Sequence, residues 1–159
     1  MDITAGHILE RVRAGFGGGP CRLQVAALPW RSSKDGMKVM LVTSRDTGRW
    51  LLPKGWPAPG EDLFEAAARE AREEAGLKGS ISKKEAGRYF YVKSVAGGAD
   101  IRCEVLVYPL EVDRVASKWK EKGERKRKWL SPAKAAEMVS ETEVRKLILS
   151  FAADLRQAA

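Results

Sequence analysis

Three carboxylates, Glu70, Glu73 and Glu74, crowd one short stretch of LPKGWPAPGEDLFEAAAREAREEAGL, residues 52–77. If that stretch is helical, at about 100° per residue they share an arc of roughly 100°. Like charges so close repel, and the repulsion raises carboxyl pKa values unless a positive charge relieves it. Either water screens an ordinary solvated face rich in glutamate, or a cation sits among the three. Clustered hard oxygens suit Mg²⁺ or Mn²⁺, which bind few carboxylates and take phosphate oxygens as further ligands. Phe64, Ala67, Ala68, Ala71 and Ala75 occupy the adjoining arc, so the glutamates border the inward face and are expected at the rim of a cleft. Arg69, Arg72 and Glu65 are expected on the far, solvated side.

The other reactive residue types narrow the chemistry. His7 is the only histidine, which leaves no His-based triad or phosphohistidine chemistry for the core. Cys21 and Cys103 do not make a disulfide framework and read as small core residues with free thiols. The net charge of +8 is unevenly spread. Residues 114–128, RVASKWKEKGERKRK, hold eight basic and two acidic residues, whereas residues 61–75 hold six acidic and two basic. A basic segment and an acidic helix in one small domain suit a site that holds cations and a polyanion together. A solvated lysine-rich loop is the plain alternative. Trp119 and Trp129, within and beside the basic run, either stack on a base or pack at the rim of the core.

These residues need a scaffold. A chain of 159 residues fits one domain with a real core. With no apolar run of about 18 residues, no membrane span is expected, and with no apolar stretch of signal-peptide length near Met1 the expected location is the cytoplasm. Residues 1–20 read as a flexible arm, with a short helix at His7–Val12 and a break at GFGGGP. Residues 21–159 read as the domain. Strands are expected at Arg22–Ala27, Lys38–Ser44 (with the apolar run VMLV), Arg49–Leu52, Gly87–Lys93, Ile101–Leu110 and Arg125–Leu130. Turns are expected at Ser32–Gly36, Asp46–Gly48 and Gly97–Gly98, and Pro109 should mark a strand end or an edge. The acidic helix spans Asp62–Ala75 with Gly76 as its C-cap. Ser131-Pro132 opens a further helix, and Ser140 with Glu143 forms a capping box. Behind that box Val144, Leu147, Ile148, Phe151, Ala152 and Leu155 keep helical spacing. The order of strands, helix, strands and helices is that of a mixed α/β domain.

From Gly55 the spacing is Gly55-x5-Glu61-x7-Arg69-Glu70-Ala71-x-Glu73-Glu74-x-Gly76-Leu77. It resembles the Nudix box, G-x5-E-x7-R-E-U-x-E-E-x-G-U with U apolar, at every specified position, Ala71 being a small choice for the first U. The resemblance reaches from about Arg22 to the C-terminus. It implies an α/β/α sandwich with a mixed β-sheet and an enzyme in which water attacks a phosphorus of a nucleoside diphosphate linked to another group. By the same resemblance Glu70, Glu73 and Glu74, with the Gly55 carbonyl, hold the divalent ions, Mg²⁺ or Mn²⁺. Arg69 orients the glutamates, so that Arg69, Glu70 and Glu73 form the catalytic set. Glu61 steadies the loop against the helix, and Gly76 is structural. The catalytic base varies across the family.

Four stretches narrow the substrate. RWLLPKGWPAPGEDL resembles the Pro-Lys-Gly loop of diadenosine polyphosphate hydrolases. QVAALPWRSS, LVTSRDTGRW and ERKRKWLSPAKA resemble segments of the diphosphoinositol polyphosphate phosphohydrolases, which also cleave diadenosine polyphosphates. That resemblance makes Ser44, Arg45, Lys54, Arg125 and Arg127 candidates for phosphate contacts. Arg125 and Arg127 would share the cleft face of a strand, leaving Lys126 and Lys128 solvated. The inositol branch usually has Gly-Gly where this chain has Lys54-Gly55, which favours a general reader of polyphosphates. The expected partner is thus a small polyphosphorylated molecule. The alternatives are removal of RNA 5′-pyrophosphate, a basic RNA-binding module that keeps the box without turnover, and cleavage of ADP-ribose or oxidised dNTPs. A module without turnover normally loses glutamates from the box; here all are present.

Overall fold

A computed structural model describes residues 21–94, 96–98 and 100–159. The expected arm, with its helix at His7–Val12, lies outside the described residues. Two strands form the middle of a mixed sheet. They are β1 (Arg22–Ser33) and β7 (Ile101–Val115), which run parallel from Arg22↔Cys103 to Trp30↔Glu111. A tight turn at Lys34-Asp35 returns the chain into β2 (Gly36–Thr43). Gly36 sits there at φ 98°, a conformation that side chains rarely adopt. Two short strands follow: β3 (Trp50–Leu51) on β2, and β4 (Lys54–Gly55) antiparallel to β1. β5 (Leu77–Ile81) and β6 (Gly87–Lys93) pair with successive parts of β7, and β8 (Arg127–Leu130) pairs with β2.

Strand alternation feeds two cores. Ala26 and Leu28, Val39 and Leu41, and Val105 and Val107 face one side, where α2 (Pro132–Met138) and α3 (Thr142–Ala158) cover them. Val25 and Ala27, Met40 and Val42, and Leu106 face the other, where α1 (Leu63–Ala75) lies. The apolar run at residues 39–42 is continuous because both its faces are buried. The expected α/β/α sandwich is thus the fold found. Helix α3 docks through Val144, Ile148 and Ala152, and its Phe151 meets Trp30 edge-on at 6.0 Å. None of the helices among the described residues is long and apolar enough to cross a membrane.

Some local expectations need correction. Pro109 lies inside β7, neither at its end nor on an edge. It falls where β7 changes partner from β6 to β5, so no ladder bond calls on its missing N–H, and its carbonyl accepts from Ser82 N at 2.9 Å. The capping box does not form. Helix α3 begins at Thr142 with Glu141 as N-cap and no side-chain cap, while the Glu143 carboxylate accepts from Phe90 N at 3.2 Å. The strand expected from Arg125 starts at Arg127, after Lys126 N has bonded to Thr43 Oγ1 at 2.9 Å. Strand β5 was not expected: LKGSI is mostly exposed and bulged between Lys78 and Gly79, so it shows no alternation. By contrast Ser131 caps α2 as its sequence implies, accepting from Lys134 N at 3.2 Å.

Candidate active site

Helix α1 carries the acidic stripe and strand β4 faces it. Glu70 and Glu74 are buried, at 8% and 4% exposure, and Glu73 is half-buried. Strand β4 is fixed to the central sheet through Val25↔Gly55, Ala26↔Lys54 and a bond from Ala27 N to Pro53 O at 2.9 Å. It stands so close to α1 that a Cβ on Gly55 would meet the Glu70 carboxyl at 2.3–2.6 Å. Only glycine lets the backbone approach the carboxylate this closely. From the same strand Lys54 N donates to Glu74 Oε2 at 3.3 Å.

Arg69 braces the stripe. Its guanidinium holds Glu61 by two bonds, Nε to Oε2 at 2.8 Å and Nη2 to Oε1 at 2.9 Å, and also donates to Trp56 O at 3.0 Å. Nη1 reaches Glu70 Oε1 at 2.9 Å and Glu73 Oε2 at 3.4 Å. Glu61 closes the loop by accepting from Ala58 N at 2.9 Å. Arg69 is therefore not on the solvated side where a helical wheel puts it. Its long side chain wraps back to satisfy three carboxylates, and only Arg72 and Glu65 are exposed. Phe64 and Ala68 are only half-buried, because the buried arc is centred on Ala67, Ala71 and Glu74.

The carboxylates are electrostatically unlike one another. Burial pushes Glu74 up to about 7, against the pull of Arg125. Burial also raises Glu70, against the pull of Arg69. Glu61 is held down at about 2, chiefly by its hydrogen bonds from Arg69. Lys54 is pushed down by burial, with Glu74 opposing. Among the described residues no three acidic, histidine or cysteine side chains converge in a ready-made metal cage. Arg69 holds Glu70 and Glu73, Arg125 Nη2 holds Glu74 Oε1 at 3.2 Å, and Lys120 lies 3.8 Å from Glu73 Oε1. The residues nonetheless fit a divalent ion. Two buried carboxylates bear a desolvation cost that a cation relieves, and the absence of a side chain on Gly55 brings its backbone up against one of them.

The basic segment closes the C-terminal end of α1. Gly76 stops the helix in the left-handed conformation, φ 67°. The last three carbonyls of the helix and that of Gly76 are then satisfied from residues 116–127. Glu73 O accepts from Glu121 N at 3.1 Å and Gly76 O from Ala116 N at 2.8 Å. Glu74 O accepts from Trp119 Nε1 at 3.0 Å, and Ala75 O from Arg127 Nη1 at 2.7 Å. Arg127 also donates to Ala116 O at 2.7 Å and stacks on Trp119, its Cζ 3.7 Å from the ring centroid. Trp129 carries Arg31 over its ring at 4.1 Å. Both tryptophans are thus engaged within the domain. Arg127 and Arg125 do share the inward side, with Lys126 and Lys128 exposed, but they diverge beyond Cβ. Arg125 enters the cleft and donates to Thr43 O at 3.0 Å, leaving its buried Nε without a hydrogen bond, whereas Arg127 turns to the helix end.

A cleft of about 970 Å³ opens over this site. It brings together Ser44, Arg45, Lys54, Gly55, Glu70, Glu73, Glu74 and Arg125. Arg69, Glu61, Gly76 and Arg127 stand behind that lining. Ser44 holds its own loop, accepting from Asp46 N and Thr47 N at 3.3 Å, and Arg45 Nη1 meets Glu121 Oε1 at 3.3 Å. The cleft also contains residues that spacing alone does not single out: Trp56, Tyr91, Lys93, Glu121 and Glu141. Tyr91 and Lys93 alternate on β6, which is the one signal that could have marked them. The Tyr91 hydroxyl donates to Gln24 Oε1, and Lys54 Nζ sits 4.8 Å from the Tyr91 ring centroid.

Comparison with known proteins agrees with this geometry. The family model described as "NUDIX domain" matches residues 22–151. "Nudix hydrolase 16, mitochondrial" of Arabidopsis thaliana is 34% identical, over 86% of this chain and 81% of that protein. "Diphosphoinositol polyphosphate phosphohydrolase 2" of Rattus norvegicus is 29% identical, over 74% of this chain and 59% of that protein. Several curated relatives are longer, and the chain spans 66% or less of their length. Among solved structures, the Ap4A hydrolase of C. elegans superposes with a TM-score of 0.63 at 22% identity, over 85% of this chain and 98% of that one.

Proposed function

Since the chain belongs to the Nudix family, we propose that it is a pyrophosphohydrolase acting on a small polyphosphorylated substrate, a diadenosine polyphosphate or a diphosphoinositol polyphosphate. The observation that carries this is the pairing of two buried carboxylates on α1 with three cleft cations, Lys54, Arg45 and Arg125. Members of the family generally need divalent metal ions. Here Glu70, Glu73, Glu74 and the Gly55 carbonyl would hold Mg²⁺ or Mn²⁺. Such an ion, when bound, neutralises phosphate charge and makes water a better nucleophile at neutral pH.

The chain's own side chains do the rest. Arg45 and Arg125 bind phosphate oxygens, and a guanidinium suits that task because its fork is bidentate. The orphaned Nε of Arg125 is a donor that such an oxygen would satisfy. Lys54 supplies a further charge at the cleft wall, where water is partly excluded and its interaction is strong. Arg69, anchored by Glu61, positions Glu70 and Glu73 directly, so that the acidic stripe needs little reorganisation. The name of the rat relative supports a phosphate-dense substrate, as does the run of cations along the cleft. With Trp119 and Arg127 spent on capping α1, the basic segment offers mainly lysines to any RNA.

The test is product mass after incubation with diadenosine tetra- and hexaphosphate, a diphosphoinositol polyphosphate, ADP-ribose, an oxidised dNTP and a 5′-triphosphorylated RNA, each with Mg²⁺ or Mn²⁺. A higher kcat/KM for a long polyphosphate than for the other three classes supports the proposal. A higher value for any of those three overturns it.

A further inference from the structure

A second cavity, of about 410 Å³, opens beside the active-site cleft and shares two residues with it, Glu73 and Lys120. It is otherwise lined by Arg72, Gly76, Lys78, Ala116, Lys118 and Trp119. Four cations, Arg72, Lys78, Lys118 and Lys120, thus face one carboxylate. Among the described residues, the side chains of Arg72, Lys78 and Lys118 make no hydrogen bond or ion pair. Lys120 touches Glu73 only at 3.8 Å and is 71% exposed, so it is free to turn either way. Like charges gathered around one concavity repel unless an anion joins them.

The end of a helix would ordinarily disfavour an anion here, because the C-terminus carries partial negative charge. In this chain that charge is answered, since the last three carbonyls of α1 and that of its cap Gly76 each accept a hydrogen bond from residues 116–127. What the cavity then presents is a net positive concavity with an indole wall, adjoining the cleft at Glu73 and Lys120.

We propose that this cavity holds the distal phosphates of a long polyphosphate whose reacting end lies in the cleft. The proposal rests on the pyrophosphohydrolase reading for its substrate class, and equilibrium binding without metal separates the two. Lys78 and Lys118 lie outside the cleft, so Lys78→Glu/Lys118→Glu leaves the acidic stripe and Arg125 in place. In EDTA, where turnover stops, the Kd for diadenosine hexaphosphate measured by calorimetry rises at least tenfold in this variant. The Kd for ADP-ribose, with two phosphates, stays within twofold. The control Lys83→Glu/Lys84→Glu, outside both cavities, leaves both constants within twofold. With metal present, KM for the hexaphosphate rises in parallel while kcat is unchanged. The proposal is overturned if the hexaphosphate binds the variant as tightly as the wild type. Equal weakening of both ligands, or of the variant and the control, overturns it as well, since that is general attraction. Selective loss of hexaphosphate binding in a protein that hydrolyses none of these compounds upholds the cavity and defeats the hydrolase reading.

Discussion

Replacing Gly55 by alanine adds one methyl group at the point where β4 meets α1. Gly55 is not at positive φ, so the alanine backbone is unstrained, and the perturbation passes wholly to the neighbouring side chain. The new Cβ would lie 2.3 Å from Glu70 Cδ, where ordinary contact begins at 3.4 Å. Glu70 must therefore retreat by about 1 Å, which in a catalytic group costs on the order of 10²-fold in rate. Its Oε1 is tethered to Arg69 at 2.9 Å and the residue is only 8% exposed, so the retreat sacrifices that bond. A charge-assisted hydrogen bond contributes about 1.5–3 kcal/mol, partly offset by the lower entropy of an unfolded alanine chain. At this chain length 1 kcal/mol shifts Tm by about 2–4 °C, so a loss of several degrees is expected. The assay is kcat on a polyphosphate, Tm, and Mn²⁺ affinity from the paramagnetic resonance of the free ion. Activity and Mn²⁺ affinity should fall together, and Gly55→Ala/Glu70→Gln should be no worse than Glu70→Gln alone, because both act on one carboxylate. A Gly55→Ala enzyme within threefold of wild-type kcat would refute the contact's role.

Other outcomes follow from named contacts. Glu61 is held at about 2 in the folded chain against 4.5 for a free glutamate, so its stabilising pair with Arg69 is complete above pH 4.5 and lost as pH falls toward 2. Glu61→Gln should accordingly lower Tm at pH 7 and flatten its fall between pH 4.5 and 2, and a profile parallel to wild type refutes the pairing. Trp119→Phe keeps an aromatic face for Arg127 but leaves Glu74 O without its donor, at a cost of about 1–3 kcal/mol and several degrees in Tm; an unchanged Tm contradicts the capping role. Arg125→Ala should raise KM for a polyphosphate at least tenfold, while Arg127→Ala should lower Tm with KM within about threefold. Equal kinetic effects in the two would mean that both arginines bind substrate.

Much of this architecture is legible in the sequence because it rests on local signals. Helix α1 follows from its alanine-rich inward arc, and its end from Gly76. The apolar runs of β1 and β2 announce strands with two buried faces. Pro109 misleads because its tolerance depends on where β7 exchanges partners, which no local window contains. Strand β5 is polar and bulged, so its register comes from β7 alone. In the site, the acidic stripe is written in helical spacing, but the reach of Arg69 is not: a wheel records where Cβ points, and a guanidinium acts several ångströms away. The same limit separates Arg125 from Arg127, which alternate alike yet end at different partners. Glu121 is hidden in the sequence by the lysines around it, and in the fold it meets both Arg45 and Arg125.

The most direct measurement of the central claim is hydrolysis in ¹⁸O-water with Mn²⁺, using a diadenosine polyphosphate and following ¹⁸O into the phosphate products by mass. Wild-type protein should place one ¹⁸O in one of the two products of each cleavage, with no turnover in EDTA. Glu73→Gln and Glu74→Gln should each lose about 10²-fold or more in rate while still melting cooperatively. Incorporation at the wild-type rate in either variant, or in EDTA, would contradict the assignment of the acidic stripe as the seat of metal-dependent hydrolysis.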